Sequence, residues 1–292
     1  MRLAAGLVLA LLAASGVAEA RMHHPYRGHR IVPVATAPLD GFTTPSGAYS
    51  FRKLRSAYSG FAVKLQKADT TTQDIGFLGF VPGLGSPIDM AAAAAFCTTT
   101  CSVQVWYDQS GNGRNITNGT IANQPVYVPN CIGSLPCVEL TLATQVLQSA
   151  SFTPATGAAS INVVANRVSG TAGCVWLRQN AAAGNRLQAS SGLANFWAQS
   201  ATAGGGNVSV LDNAWHSGTG LFNGASSSIA IDGNTATAMS LTNAVGAGAM
   251  ALVGGATTTC RQFEMVLWDN YLLSAGEVAA LVANQRGYGL IP

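Results

Sequence analysis

Short runs of β-forming residues, separated by clusters of Gly, Asn, Asp and Ser, fill most of the chain after residue 100. Short runs with frequent turn signals are typical of β-sandwiches and barrels. The Asp232-Gly233 pair that follows one run favours a tight hairpin turn. The pattern therefore predicts an all-β protein, a sandwich or a barrel, with a single domain over residues 46–292 and no internal repeat. The predicted strands are 102–107, 124–128, 160–164, 228–231, 249–253 and 262–268.

Two segments have the composition of helices instead. Residues 89–96 begin with Asp89, a good N-cap, and continue with a run of alanines, which have high helix propensity. Residues 274–285 begin with Ser274 and carry Glu277 three positions later, which together form a capping box. Residues 48–65 mix basic and apolar side chains, and here we expect a short helix followed by a strand.

The first twenty residues have the features of a secretory signal peptide. Arg2 precedes an apolar run over residues 3–14, and Ala18-Glu19-Ala20 fits a small-residue cleavage site. The run is about a dozen residues long, whereas a membrane-spanning helix needs about 20. We therefore expect cleavage after Ala20, a secreted or periplasmic product and no membrane span. Residues 21–45, rich in proline and histidine, are expected to form a flexible leader.

The composition limits the partners that the chain can have. Charged residues make up 9% of the sequence, against about 25% in an ordinary globular protein. A formal net charge of +3 is too small to indicate a nucleic-acid partner. No cofactor and no metal site is expected, and the oligomeric state is left open.

Six cysteines lie behind the signal segment, at positions 97, 101, 131, 137, 174 and 260. An even number in an exported chain indicates disulfides. Cys97 with Cys101 and Cys131 with Cys137 are close enough to close small loops, which would leave Cys174 with Cys260 as a long-range pair. Other pairings, or free buried thiols, stay open at this point.

Two stretches carry a family resemblance. Residues 52–74 read RKLRSAYSGFAVKLQKADTTTQD, and residues 96–117 read FCTTTCSVQVWYDQSGNGRNIT. Together they resemble the N-terminal half of the α-L-arabinofuranosidase B catalytic domain, and the ungapped motif over residues 107–113 is the most specific part. The resemblance is clear over residues 50–120. It implies a concanavalin A-like jelly-roll β-sandwich and an activity on arabinofuranose-bearing glycans.

The resemblance also implies catalytic residues, and these are not matched. Glycoside hydrolysis uses two carboxyl groups, one on each side of the scissile bond. In the family, the nucleophile is a Glu that follows a Cys-Cys pair, and the nearest counterpart here carries Ala181 or Ala182. The family's acid/base Asp follows a Gly-Gly pair, whereas here Gly254-Gly255 is followed by Ala256. Alanine has no carboxyl group, so it can act neither as the nucleophile nor as the acid/base.

Other acidic residues remain as candidates for catalysis. The shortlist is Asp69, Asp74, Asp108, Glu139, Asp212, Glu264 and Asp269. We single out Glu264 and Asp108, although Glu264 also fits a structural role on the closing strand. Asp108 lies in a loop whose Ser110, Gly111 and Asn112 favour turns, and this loop too is better explained by structure than by chemistry.

A sugar site is expected even without hydrolysis. Aromatic faces beside a few polar groups are how concave sites hold ligands. The candidate binding residues are Trp176, Asn180, Trp197, Gly254 and Gly255, with Trp215 as a further aromatic face, although each tryptophan taken singly fits the core somewhat better. Two functions follow: a carbohydrate-active protein of the arabinofuranosidase B type, or a non-catalytic, lectin-like module for adhesion or cell-surface structure.

Overall fold

The fold is described from a computed structural model, which covers residues 36–79, 83–154, 158–170, 172–179, 184–189, 195–199, 205–209, 213–241 and 248–292. For residues 195–197, 205–207 and 209 it describes the backbone alone. The predicted signal peptide, the three histidines of the leader and Asn180, Ala181 and Ala182 lie outside these ranges. Strands are numbered β1 to β18 and helices α1 and α2, in chain order.

The first layer of the molecule is built around two long strands. β9 and β18 pair along almost their whole length, with Met265 opposite Val163. Both strands bury most of their side chains. The antiparallel order is β1–β18–β9–β14–β15–β16. Its strands are Gly47–Ser50 (β1), Thr259–Asp269 (β18), Ala159–Ser169 (β9), His216–Phe222 (β14), Ser227–Ile231 (β15) and Thr237–Met239 (β16).

The second layer packs against the first. Its order is β3–β2–β4–β5–β8–β17–β10–β11–β12–β13, again antiparallel throughout. The strands are Thr72–Ile75 (β3), Val63–Lys67 (β2), Cys101–Trp106 (β4), Ile116–Thr117 (β5), Val146–Gln148 (β8), Ala251–Val253 (β17), Val175–Arg178 (β10), Arg186–Ala189 (β11), Asn195–Gln199 (β12) and Gly205–Ser209 (β13).

A hairpin joins the two layers. β6 (Val126–Ile132) pairs with β4, and β7 (Leu135–Leu140) pairs with the start of β18. The core between the layers includes the fully buried rings of Trp106, Trp176 and Phe263. This arrangement confirms the all-β fold that the strand pattern predicted and the jelly-roll sandwich that the resemblance implied. The turn at Asp232-Gly233 is also present, with positive φ at both residues.

The two expected helices are present with their caps. In α1 (Met90–Phe96), the Asp89 side chain accepts a hydrogen bond from the Ala92 amide. In α2 (Ala275–Gly287), Ser274 and Glu277 form the predicted capping box. Two 3-10 turns lie at Ile121–Asn123 and Gly224–Ser226. In the described part of the chain, no helix is long and apolar enough to cross a membrane.

Two local expectations were wrong. Residues 47–50 form β1 rather than a helix, because their backbone pairs with β18. The leader was expected to extend to residue 45, but Leu39 is fully buried and its amide donates to the Leu54 carbonyl. Residues 36–45 therefore belong to the packed domain.

The three disulfides follow the pairing that the spacing suggested. Cys97 bonds to Cys101, Cys131 to Cys137, and Cys174 to Cys260. The third disulfide joins the start of β10 in the second layer to β18 in the first. It therefore ties the two layers together covalently.

Candidate functional site

Glu264 is a structural residue, which corrects its place among the catalytic candidates. Its side chain is fully buried, and its Oε2 accepts from Arg52 Nε at 2.7 Å and from Ser50 Oγ at 2.9 Å. Its Oε1 accepts from Arg52 Nη2 and from Gln285 Nε2, both at 3.0 Å. Burial would raise the pKa of this carboxyl, but the Arg52 charge and these hydrogen bonds lower it overall. A saturated, buried carboxylate cannot reach a substrate.

Asp108, the second candidate, is likewise committed to the fold. It is 3% exposed, and its Oδ1 accepts from the amides of Ala48 and Ser110. Its Oδ2 accepts from Ser110 Oγ at 2.7 Å and from the Arg114 amide at 2.9 Å. All of these donors belong to the domain itself, so the carboxylate shapes the loop instead of facing a ligand.

The neighbouring Gln109 explains why the motif over residues 107–113 is so specific. Its side chain donates to the carbonyls of Ser50 and Arg52 and accepts from the Leu54 amide at 2.8 Å. Asn112 donates to the Pro45 and Ser46 carbonyls. The motif thus bonds to the backbone of residues 45–54 at several points. These contacts give the motif a structural role within the sandwich.

Gly254 and Gly255, expected to line a sugar site, are tightly packed instead. A Cβ atom on Gly254 would lie 2.2 Å from the Leu142 carbonyl oxygen, and one on Gly255 would lie 2.4 Å from that of Gly173. Real Cβ contacts are not this short, so both positions need glycine for backbone packing. The next residue, Ala256, is exposed in a turn.

The aromatic candidates divide between the core and the second layer. Trp176 is fully buried between the layers, so its expected role as a sugar platform is wrong. Trp197 lies on β12, where its backbone is opposite Gln188. Trp215 packs against the core. Asn180 and the two alanines at the expected nucleophile position lie outside the described residues.

The remaining described carboxylates of the shortlist also have partners within the domain. Asp69 accepts from Thr71, and Asp74 accepts from Tyr107. Glu139 accepts from Arg261 Nε at 2.7 Å, and Asp269 accepts from Gln179 Nε2 at 2.6 Å. Asp212 lies outside the described residues. These contacts give each described carboxylate a structural explanation.

The best candidate for a ligand surface is the side of the second layer that points away from the first. Leu187 on β11 faces inward, since a Cβ on Gly220 of β14 would lie 3.0 Å from its side chain. Its neighbours Arg186 and Gln188 therefore face outward, because side chains alternate along a strand. The register of β8, β17, β10, β11 and β12 aligns such residues in two rows, which we call the outer face. The rows are Val146, Val253, Val175 and Gln188, and Gln148, Ala251, Arg178, Arg186 and Gln199.

The outer face combines apolar and hydrogen-bonding groups. Val146, Val175 and Val253 are partly exposed side by side in the first row. Gln188 and Gln199 follow on the adjoining strands, with Gln188 Nε2 3.3 Å from Gln199 Oε1. Such a surface offers apolar contact next to amide donors and acceptors, which is what a neutral, polar ligand requires.

Two arginines extend this face and were missed from the sequence. Arg178 and Arg186 are directly opposite each other on β10 and β11. Burial lowers the pKa of both guanidinium groups, and the charge of Arg186 lowers that of Arg178 further. The alternation Arg-Leu-Gln-Ala over residues 186–189 is the signal that could have placed Arg186 on an exposed strand face. No comparable pattern marks Arg178, because a bulge interrupts β10.

Comparison with known proteins identifies the class of fold. A protein-family model described as the catalytic domain of alpha-L-arabinofuranosidase B matches residues 40–150. An alpha-L-arabinofuranosidase B of Emericella nidulans is 41% identical over 91 residues, which cover 29% of this chain and 17% of that protein. The resemblance seen in the sequence is thereby confirmed over the first part of the domain.

Solved structures extend the likeness in fold to most of the chain. A GH54 α-L-arabinofuranosidase soaked with a cyclic sulfate inhibitor has a TM-score of 0.65 and 18% identity, with 82% of this chain and 62% of that chain covered. An arabinofuranosidase complexed with arabinofuranosyl-α-1,2-xylobiose has a TM-score of 0.63 and 20% identity over the same shares. The chain thus spans less than two thirds of each of these relatives.

Proposed function

We propose that the protein recognises arabinofuranose-bearing glycans through its outer face and does not hydrolyse them. The observation that carries this proposal is the outer face itself. It places the amide side chains of Gln188 and Gln199 beside partly exposed valines, on a fold shared with arabinofuranosidases. One of those enzymes has been solved with an arabinofuranosyl xylobiose, which makes a furanose-bearing glycan the first ligand to consider.

The chemistry of the outer face fits a sugar. A furanose ring presents hydroxyl groups around its edge and C–H groups on its faces. Gln188 Oε1 supplies an acceptor and Gln199 Nε2 supplies a donor for hydroxyl groups, whereas Gln199 Oε1 already accepts from Arg186 and Gln188. Val175 and Val253, paired on adjacent strands, supply contact for C–H groups. Mixed polar and apolar lining is what gives a carbohydrate both affinity and orientation.

The proposal excludes hydrolysis because the described part of the outer face supplies no carboxyl group. The reaction needs a proton donor and a second carboxylate at the scissile bond. The outer face, as far as the structure describes it, carries amides, valines and arginines but no carboxylate. Ala256 follows the Gly254-Gly255 pair, where the resemblance implies the family's acid/base Asp.

Export is part of the proposal and rests on two observations. The first twenty residues have the pattern of a cleaved signal peptide. Every cysteine of the chain is in a disulfide, which suits a secreted or periplasmic protein. The glycan partner would then be met outside the cytoplasm.

The binding part is tested by isothermal titration of the purified protein with neutral arabinofuranosyl oligosaccharides. We expect saturable binding that Gln188→Ala weakens, because this variant removes an amide from the outer face. Gln73→Ala is the matched control, since Gln73 is an exposed glutamine on β3. Binding that is absent, or equal in both variants and the wild type, would exclude this face as the site.

The non-catalytic part is tested with a chromogenic α-L-arabinofuranoside. We expect no turnover above that of the boiled protein. Turnover would overturn this part, and a carboxylate outside the described residues, such as Asp212, would then be the first to replace. If the protein binds glycans on an array, but only glycans that lack arabinofuranose, the lectin-like module for adhesion is favoured over the function proposed here.

A further inference from the structure

The cross-strand pair Arg178 and Arg186 carries the inference. The two residues are direct partners in the register between β10 and β11, on the outer face. Side chains in such positions have Cβ atoms about 4.5–5.5 Å apart, and like charges there destabilise a sheet. Both side chains are partly buried, which adds a desolvation cost. The fold thus holds two positive charges together at the expense of stability.

No acidic residue in the described part of the chain relieves this cost. Arg186 donates from Nε and Nη2 to the neutral Gln199 Oε1, the first at 3.1 Å. The Nε atom of Arg178 is buried and has no hydrogen-bond partner among the described residues. A buried N–H of a charged group is expensive to leave unbonded, so a bound ligand that accepts a hydrogen bond from this atom would recover that cost.

The geometry points to one kind of ligand. Guanidinium groups present parallel N–H donors that match the two oxygens of a carboxylate, and a pair of them neutralises an anion from two sides. We propose that Arg178 and Arg186 together bind the carboxylate of a uronic acid, so that the glycan recognised by the outer face is an acidic one.

This inference deepens the proposed function and rests on it for the carbohydrate part. Next to the arginine pair lie Gln188 and Gln199, the amides proposed to bind neutral sugar. A glycan that contains both arabinofuranose and a uronic acid would contact both groups at once. The arginine pair would then make the protein prefer an acidic glycan over a neutral glycan of otherwise the same structure.

The test compares two ligands that differ in one group. An arabinofuranose-bearing oligosaccharide with one uronic acid is titrated beside its carboxyl-reduced form, using the full protein. We expect the acidic form to bind at least about tenfold more tightly, as hydrogen bonds to charged groups imply. Arg178→Gln and Arg186→Gln should each reduce the ratio of the two affinities, acidic form over reduced form, to about one. Lys53→Gln removes one positive charge outside the outer face and should change nothing.

Two further measurements separate the possible failures. Unfolding in urea without ligand should show both glutamine variants at least as stable as the wild type, because repulsion is relieved. A loss of stability in both would assign the arginines a structural role and overturn the inference. Equal affinity for the acidic and reduced forms would overturn it while leaving the proposed function in place. The inference would also be overturned if inorganic sulfate or free glucuronate bound as tightly as the acidic glycan, since the site would then recognise a small anion and not a glycan.

Discussion

Glu264 shows why the role of a single carboxylate could not be inferred from the sequence. Its partner Arg52 lies just after β1, and its partner Gln285 lies on α2. Only the fold brings these residues together. The fully buried Arg52 also donates to Asn284 Oδ1 at 2.6 Å and packs over the Tyr288 ring. This network links the N-terminal segment, the closing strand and the last helix. Its members stabilise the fold.

Replacing Glu264 by Gln should lower the free energy of unfolding by about 3–5 kcal/mol, since it leaves the buried Arg52 charge without a counter-ion. Glu139→Gln is the control, because its ion pair with Arg261 is partly exposed and should be worth about 1 kcal/mol or less. Urea unfolding measures both. Equal losses in the two variants would contradict the structural importance of the buried pair.

The stability of the protein should fall in acid. The pKa of Glu264 is lowered from its ordinary value of 4.5, so the folded state binds fewer protons than the unfolded chain in this range. The stabilisation is therefore complete above pH 4.5 and is lost as the pH falls through the lower pKa of the folded state. Asp40, whose pKa is also lowered, acts in the same direction.

Urea unfolding between about pH 2 and pH 7 measures this dependence. The wild type should lose stability steadily below pH 4.5, and Glu264→Gln should lose less over the same range. If the free energy of unfolding falls as steeply with decreasing pH in the variant as in the wild type, other carboxylates dominate the acid dependence of stability.

At the scale of elements, the motif over residues 107–113 positions the start of β1. Asp108 and Gln109 bind backbone groups of residues 48–54, and this explains how a loop sequence can be so specific without taking part in chemistry. Similarity over residues 40–150 therefore indicates the fold strongly and the activity weakly. Over the longer stretch that a solved relative covers, the identity is 18%, so that likeness indicates the fold alone.

Gly255→Ala tests the packing of the Gly-Gly turn. Its new Cβ would lie 2.4 Å from the Gly173 carbonyl oxygen, so the backbone beside the third disulfide must move. We expect a loss of about 1–3 kcal/mol in urea unfolding, typical of overpacking. Gly119→Ala is the control, since a Cβ there meets nothing within 4 Å. A harmless Gly255→Ala would show that the turn is looser than described.

Elements with strong local signals could be predicted from the sequence. The caps of α1 and α2, the turn at Asp232-Gly233 and the long buried run of β18 were all found. The strands β11 to β13 were not, because their short, polar or glycine-containing segments become strands through pairing with neighbours. The helix expected near residue 48 does not form, because the backbone of that segment pairs with β18 instead.

The candidate site was predicted less well for a related reason. Burial decides what Trp176, Glu264 and Asp108 do, and burial depends on which layer a residue faces. Arg178 and Arg186 carry no motif, and their proximity arises from the register of two strands. A sequence shows which residues exist, but the pairing of the sheet decides which of them meet.

For the whole molecule, the third disulfide is the main covalent link between the layers. It joins residues 86 positions apart, whereas Cys97 and Cys101 are separated by 4. Restricting the unfolded chain should contribute roughly 4–5 kcal/mol for the long loop and roughly 2 kcal/mol for the short one. We expect Cys174→Ser with Cys260→Ser to lower the urea midpoint far more than Cys97→Ser with Cys101→Ser. The reverse order would contradict this account of the two layers.

The central claim is that the outer face of the second layer binds a glycan, and methyl NMR tests it most directly. Val146, Val175 and Val253 lie partly exposed on that face, whereas Val163 and Val266 are buried in the first layer. On titration with an arabinofuranosyl oligosaccharide, we predict saturable shifts in the first three methyl signals and little change in the other two. Shifts confined to other parts of the molecule, or no shifts at saturating ligand, would contradict the claim.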